Sequence, residues 1–301
     1  MDLKQTTKKL GIYAIVQARM ASTRLPGKVL LDIGGEPMLV RVVERACRAR
    51  TLDGIIVATT TDASDDAIAD LCLVRGYPCY RGSSHDVLDR FYQAALSFGV
   101  DVLVRVTADC PVIDGTIIDE TVNAFLGRSE NESRPFYGSF EDIPFDFVAN
   151  RLPPPWKRTY PIGLDTEVCS FPVLKQAWVE ATLPHQREHV MPFLYEDFRP
   201  DQVGSTRFRV YQLNHDPDYG WLRWTVDTAQ DLQVVRQIYQ NFNNRDDFIW
   251  REVLDLYENN PSLAQGNAGV RHKNYQESEV DLTAKDIASG GTPPRGMAEK
   301  R

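Results

Sequence analysis

The stretch 12–28, "IYAIVQARMASTRLPGK", joins a wholly apolar run to a loop crowded with charge. Ile12, Tyr13, Ala14, Ile15 and Val16 show no polar alternation, as expected of a parallel strand covered on both faces. Behind them come Arg19, Arg24 and Lys28, the hydroxyls of Ser22 and Thr23, and a Pro26-Gly27 turn. The whole chain nevertheless carries a net charge of -8. Nucleic-acid binding needs a broad basic surface, which this composition disfavours. So local a cationic loop suits a small anion instead.

Outward from this stretch, strand and helix signals alternate. Pro37 opens a helix in which Met38, Leu39, Val42, Val43 and Ala46 recur at helical spacing. "GIIVATT" at 54–60 is a second buried strand, and Ser64 is placed to cap the helix after it. A weaker strand at 77–80, a helix over 86–98, the strand "DVLVRVT" at 101–107 and a helix over 115–125 continue the series. This order predicts an α/β fold, a mostly parallel central sheet with helices on both faces. Ligands in such sheets sit beyond the carboxyl ends of the strands, where 17–28, 59–62, 81–86 and 107–114 emerge.

From about 130 the alternation stops. Strand-like pieces "FDFVAN", "LDTEVCSF" and "FRVYQLN" lie among turn-rich segments, with helices near 171–181 and 185–195. "WLRWTVDT" at 221–228 reads as a strand, and helices are expected at 229–241 and 247–258. This half elaborates the same sheet, so 11–260 is expected to be one domain. The polar stretch 262–301 lacks apolar periodicity and reads as a flexible tail. Five cysteines, an odd number with no C-x-x-C pair, argue against a disulfide framework and a cysteine zinc site. The N-terminal apolar run is too short for a signal-peptide core and no stretch approaches a membrane span, so the cytoplasm is expected.

The loop invites comparison with G-x-x-x-x-G-K-[ST], but Ser22 stands at the first glycine and Val29 at the hydroxyl position. Backbone amides with guanidinium and ammonium groups still suit a triphosphate. The competing reading is a solvated turn. Asp109, in "RVTADCPVID", stands just past the fourth strand, and Asp227 ends "WLRWTVD". Carboxylates converging from separate strand ends can hold Mg²⁺. For Asp227 an N-cap to the following helix competes on nearly equal terms.

Three further features are less specific. "HQREH" at 185–189 formally matches H-x-x-E-H, but no further ligand follows; Arg187 and His189 lining an acceptor pocket, or a plain surface helix, are the stronger readings. "RGSSHD" places Arg81, Gly82 and Ser83 where they would meet a base edge or ribose; the competing reading is ordinary capping by Ser83, Ser84 or Asp86. Cys110 reads as packing.

These stretches, together with "YRGSSHDVLDRFYQA", "RTYPIGLDTEVCSF" and "QREHVMPFLY", resemble the spore-coat polysaccharide biosynthesis cytidylyltransferase-like family, itself similar to 3-deoxy-manno-octulosonate and acylneuraminate cytidylyltransferases. The resemblance spans about 11–260. It implies an A-type glycosyltransferase-like (Rossmann-like) nucleotidyltransferase fold, with a nucleotide-binding half at 11–127 and an acceptor-binding half at 128–260. It further implies an enzyme that joins CTP to a sugar or sugar-acid acceptor, with Mg²⁺ as cofactor, pyrophosphate as product and a homodimer as the assembly. By position, Arg19, Lys28 and Asp109 are the implied catalytic residues. Gln17, Ala18, Arg19, Ser22, Arg24 and Lys28 fall on the nucleotide, as do Arg81, Gly82 and Ser83. Asp109 and Asp227 are the implied metal ligands, and Asp165 and Glu167, with Arg187 and His189, fall on the acceptor side.

A glycosyltransferase using a nucleotide sugar is the alternative enzyme. It would normally carry D-x-D after the fourth strand, where Cys110 and Pro111 follow Asp109 instead. A non-catalytic nucleotide-binding protein is the third reading, disfavoured by the presence of both aspartates.

Overall fold

The computed structural model describes residues 8–129, 132, 135–153, 156–199 and 206–270. The apolar run of the first strand, β1 (Ile12–Gln17), lies at the centre of a seven-stranded sheet. β2 (Gly54–Thr60) and β4 (Val102–Thr107) flank it in parallel, and β3 (Cys79–Gly82) closes that edge beside β2. Beyond β4 come β6 (Glu167–Ser170), β5 (Phe147–Ala149) and β7 (Val210–Gln212). Only β6 runs against the others, paired antiparallel to both β4 and β5.

The sheet is covered on both faces, which is why β1 lacks polar alternation. Ala14 and Val16 join a core cluster with Leu39, Val42 and Val43 of α1 (Met38–Ala46) and Ile118 and Val122 of α4 (Gly115–Phe125). Ile15 faces the other way, into a cluster with Phe91 of α3 (Val87–Phe98) and Leu174 of α5 (Phe171–Glu180). Burying each such side chain contributes about 1.5–3 kcal/mol, so the two faces fix the strand's register. A third cluster gathers α8 (Ala229–Asn241) and α9 (Trp250–Asn259) around Trp224 and takes Ile33, Met38 and Val112 from the first half. Among the described residues no helix is long and apolar enough to cross a membrane.

Four expectations are corrected. The segment at 221–228 is not a strand: it makes one isolated bridge, Arg223 with Ile162, and ties instead to the loop after β4 through Val226 N–H to Asp109 O at 2.8 Å. Gly163 (φ +109) lets Trp224 and Thr225 pass close beside the bridge at Ile162, since a Cβ there would stand 2.7 Å from Thr225 N. Ser64 caps nothing; residues Ala63–Asp65 form a short 3-10 turn, and α2 (Asp66–Arg75) has no side-chain cap. The helix expected at 185–195 is broken into α6 (Pro184–His189) and α7 (Pro192–Tyr195) at Val190, φ 71 and ψ -55. The Met191 N–H to His189 O bond of 2.8 Å closes a three-residue turn there.

The tail is the fourth. The stretch expected to be flexible from 262 instead opens with a packed helix, α10 (Ser262–Gln265), whose Leu263 joins the third core cluster. Asn267 beyond it is 4% exposed. The part of the tail expectation that falls on 271–301 lies outside the described residues.

Candidate active site

The carboxyl ends of β1 and β4 open on a cleft of about 270 Å³. One end is walled by the loop after β1: Gln17, Arg19, Ser22, Arg24 and Lys28 line it, facing Asp109 and Asp227. Ala18 supports the loop from below, 1% exposed, with its N–H donated to Ala58 O at 3.1 Å. Gly27 (φ +70) turns the chain into the 3-10 turn Lys28–Leu30, a conformation that glycine adopts without strain. Asp65, 1% exposed, holds the loop by accepting the Met20 N–H at 2.7 Å. Sequence reasoning missed Asp65 because an acid in a helix's first turn looks like a dipole partner.

Lys28 is the hub of this end. Its ammonium donates to Asp109 Oδ2 at 2.8 Å, Asp227 Oδ1 at 2.9 Å and Val226 O at 2.9 Å. Arg24 reaches Asp227 Oδ1 at 2.9 Å, and Arg223 reaches Asp227 Oδ2 at 2.7 Å. Burial would lower the Lys28 pKa, but the two carboxylates outweigh it and hold the pKa above its ordinary value. Burial would likewise raise Asp227; Lys28, Arg24 and Arg223 together hold it well below the usual carboxylate range. Both groups are therefore charged at neutral pH, and cation and anion compensate each other within the cleft.

The N-cap of α8 is not Asp227 but Thr228, whose hydroxyl accepts the Asp231 N–H while Asp231 Oδ2 accepts the Thr228 N–H at 2.9 Å. The Asp227 carboxylate is thus available to the cleft. Thr107 Oγ1 donates to Asp109 Oδ1 at 2.6 Å. Cys110 is 3% exposed and burial raises its thiol well above the ordinary pKa, which suits packing and not nucleophilic chemistry.

The other end of the cleft is lined by Arg105, Arg151, Asp165, Glu167, Glu188 and His189. Glu167 pairs with Arg105, which it faces across the β6–β4 ladder. Arg105 also donates to Gln17 Oε1 at 3.2 Å, linking the two ends. Asp165 is held by Arg158 and Arg151. Burial, opposed by Glu188 and assisted by Arg105 and Arg151, lowers His189 to about 4, so its imidazole is neutral at pH 7. Its Nε2 is buried with no partner among the described residues.

Not every candidate reaches the cleft. Arg187 turns away from it: its guanidinium pairs with Asp86, the N-cap of α3, and donates to Trp178 O at 2.6 Å. It joins α6 to α3, and at 5% exposure it has no surface for an acceptor. Arg81, Gly82 and Ser83 are also absent from the lining. Arg81 donates to Thr60 O at 2.9 Å and Ser83 Oγ accepts the Asp86 N–H at 2.9 Å, while the cap of α3 is Asp86, whose Oδ1 accepts the Asp89 N–H at 2.8 Å. Within "HQREH", His185 pairs with Glu196, and no group of three or more His, Cys, Asp or Glu fit to hold a metal occurs among the described residues.

Sequence reasoning missed Arg105, Arg151, Arg158 and Arg223. A signal existed for two of them. Arg105 is the one charge in "VLVRVT", and Arg223 interrupts the apolar "WLRWTV". A guanidinium inside a buried run needs a carboxylate partner, and both have one.

A cationic loop after the first strand, facing two carboxylates across a cleft at the strand ends, defines a nucleotide-handling α/β site. The chain belongs to the cytidylyltransferase family, whose model matches residues 13–260. The uncharacterised protein MJ1063 of Methanocaldococcus jannaschii is 35% identical over 273 residues, covering 90% of this chain and all of that protein. The spore coat polysaccharide biosynthesis protein SpsF of Bacillus subtilis is 28% identical over 258 residues, 84% of this chain and 96% of its own length. A solved cytidylyltransferase from Leptospira borgpetersenii superposes with a TM-score of 0.71 at 28% identity, covering 85% of this chain and 97% of that one. These likenesses bear out the expected family and the expected nucleotidyltransferase fold. The chain is a cytidylyltransferase, an enzyme of CTP-dependent nucleotidyl transfer.

Proposed function

We propose that the chain transfers the CMP group of CTP to a hydroxyl of a sugar or sugar-acid acceptor and releases pyrophosphate, for surface polysaccharide or glycoconjugate synthesis. The observation that carries this reading is the Lys28 ammonium held between Asp109 and Asp227 beside the Arg19–Arg24 loop. The acceptor oxygen attacks the α-phosphorus and the bond to the β-phosphate oxygen breaks. Positioning and charge compensation supply most of the catalysis of such a step. Arg19, Arg24 and Lys28 neutralise the leaving pyrophosphate. Gln17 and Ser22 line the same wall and orient the nucleotide. Asp165, Glu167 and the neutral His189 face the acceptor.

The carboxylate oxygens of Asp109 and Asp227 converge on one cation, the Lys28 ammonium, and such hard oxygen donors fit Mg²⁺, which takes one or two carboxylates plus phosphates and water. Asp109 and Asp227 would hold it. Bound there, Mg²⁺ would withdraw charge from the α-phosphoryl group. A homodimer working in the cytoplasm completes the proposal.

The test is incubation with each of CTP, UTP, ATP and GTP and a panel of sugar acids, neutral sugars and sugar phosphates, following pyrophosphate. Acceptor-dependent release with CTP is expected. Consumption of a nucleotide sugar, or no release with any pair, would overturn the reading.

A further inference from the structure

Residues beyond 260, where the family match ends, reach back to the catalytic cluster. α10 packs through Leu263, and Gly266 lies so close to α8 that a Cβ there would stand 2.6 Å from Val234 Cγ2. This docking delivers Asn267 into a closed polar network. Its Nδ2 donates to Arg223 O at 3.0 Å and to Asp231 Oδ1 at 2.9 Å. Asp231 has no exposed surface, so its carboxylate must be satisfied wholly from within. It accepts Arg223 Nε at 2.8 Å on Oδ1, and the Asp227 and Thr228 N–H groups at 3.0 and 2.9 Å on Oδ2. Arg223 in turn donates its Nη2 to Asp227 Oδ2 at 2.7 Å.

The order of contacts is therefore Asn267, Asp231 and Arg223, Asp227. We infer that Asn267 is a positioning residue for the transfer reaction, fixing the Asp227 carboxylate through Arg223 and Asp231. The physical reason is that Asn267 clamps both ends of Arg223: its backbone carbonyl directly, and its guanidinium through their shared partner Asp231. Without the amide, Arg223 O loses a donor and Asp231 Oδ1 keeps only the guanidinium. Arg223 is then drawn toward Asp231 and away from Asp227 Oδ2. Partners that orient a functional carboxylate in this way carry effects of about ten- to a hundredfold when removed. The residue lies in a stretch whose sequence shows no periodicity, and no pattern in 262–301 marks it out.

The inference rests on Asp227 taking part in the reaction, and the experiment separates the two. In the full-length chain, Asn267→Ala should lower kcat about tenfold with KM for CTP changed less than about twofold. Asn267→Asp should fall further, because it sets a second carboxylate against Asp231. Amide hydrogen exchange at Asp227 and Thr228, whose N–H groups are held by Asp231, should accelerate in both variants. Leu263→Ala serves as the comparison for mere loss of packing: it should lower the melting temperature more than Asn267→Ala and kcat less. An unchanged kcat in Asn267→Ala, whatever the exchange rates, overturns the positioning role. So does a kcat loss that tracks melting temperature equally across Asn267→Ala and Leu263→Ala. Full activity in Asp227→Asn would instead overturn the reading of the site on which the inference rests.

Discussion

Asp109 and Asp227 accept hydrogen bonds from the same ammonium, that of Lys28, at 2.8 and 2.9 Å. One stands after β4 and the other before α8, so the fold brings two like charges together and places a cation between them. Their side chains are 26% and 14% exposed, enough burial for the pairing to escape most solvent screening. Arg24 and Lys28 of the loop are thus paired with the aspartates across the cleft.

Lys28→Met should abolish turnover and destabilise the fold by about 2–3 kcal/mol at neutral pH, since it leaves two carboxylates without their shared donor. The pH dependence follows from the shifts. Asp227 is held below its ordinary range, so its contribution is present above about pH 4 and lost as pH falls through the lower folded value. Lys28 is held above its own, so its contribution is present at neutral pH and lost only as pH rises through that raised value. The gap between parent and variant in urea denaturation should be widest near neutrality and narrow below about pH 4. A constant gap would show that Lys28 acts by packing alone.

Asp109→Asn and Asp227→Asn should each lose about a hundredfold or more in turnover, as expected of an amide replacing a carboxylate that orders metal and phosphate. α8 should survive in Asp227→Asn, because Thr228 and Asp231 make its cap. Stability should nevertheless drop more for Asp227→Asn, which removes at once a carboxylate shared by Arg24, Lys28 and Arg223. Circular dichroism with steady-state kinetics separates these effects, and a fully active Asp227→Asn enzyme would refute the role.

Arg24→Ala should weaken CTP binding about tenfold while the melting temperature moves little, since one charge-assisted contact to phosphate is lost from a part-exposed loop. Isothermal titration with CTP measures it. Unchanged affinity would remove Arg24 from the phosphate seat.

His189 gives the protein an acid-sensitive corner. Its folded pKa of about 4 lies below the ordinary imidazole value of about 6.5, so the unfolded chain binds a proton that the folded one refuses. Stability should fall as pH drops from about 6.5 toward 4 and level off below. His189→Gln should flatten that part of the curve. Parallel melting curves for parent and variant would show that His189 is not held neutral by the fold.

How much of this was legible depended on whether a local pattern decides the outcome. The alternation of β1, β2 and β4 with α1 and α4 was readable because two-sided burial leaves unbroken apolar strands. Asp109 and Lys28 were readable as residues at strand ends, though not as partners. Strand direction was hidden: nothing in "LDTEVCSF" says that β6 opposes β4, because direction is set by the route of the intervening chain. The 221–228 segment has the composition of a strand, but it reaches the sheet's end and not its edge. Arg187 looked like a ligand contact because a buried ion pair and a binding residue have the same signature on a helix, and only Asp86, far away in sequence, distinguishes them.

The turn at Val190 has a consequence for how such an enzyme diversifies. A β-branched residue at φ 71 is held in a conformation costing on the order of 1–3 kcal/mol, and its fully buried side chain is what keeps it there. On one side of that corner Arg187 rivets α6 to α3; on the other Met191 and Leu194 sink into the core. Glu188 and His189, between these anchors, present their side chains to the cleft on a rigid mount. On the proposed function, exchanging those two side chains would alter what the acceptor meets while the corner keeps its course. Altering the corner itself would shift the whole wall. Under that proposal, lineages of this enzyme should explore new acceptors by side-chain replacement at 188 and 189, while the corner and the loop after β1 stay as they are.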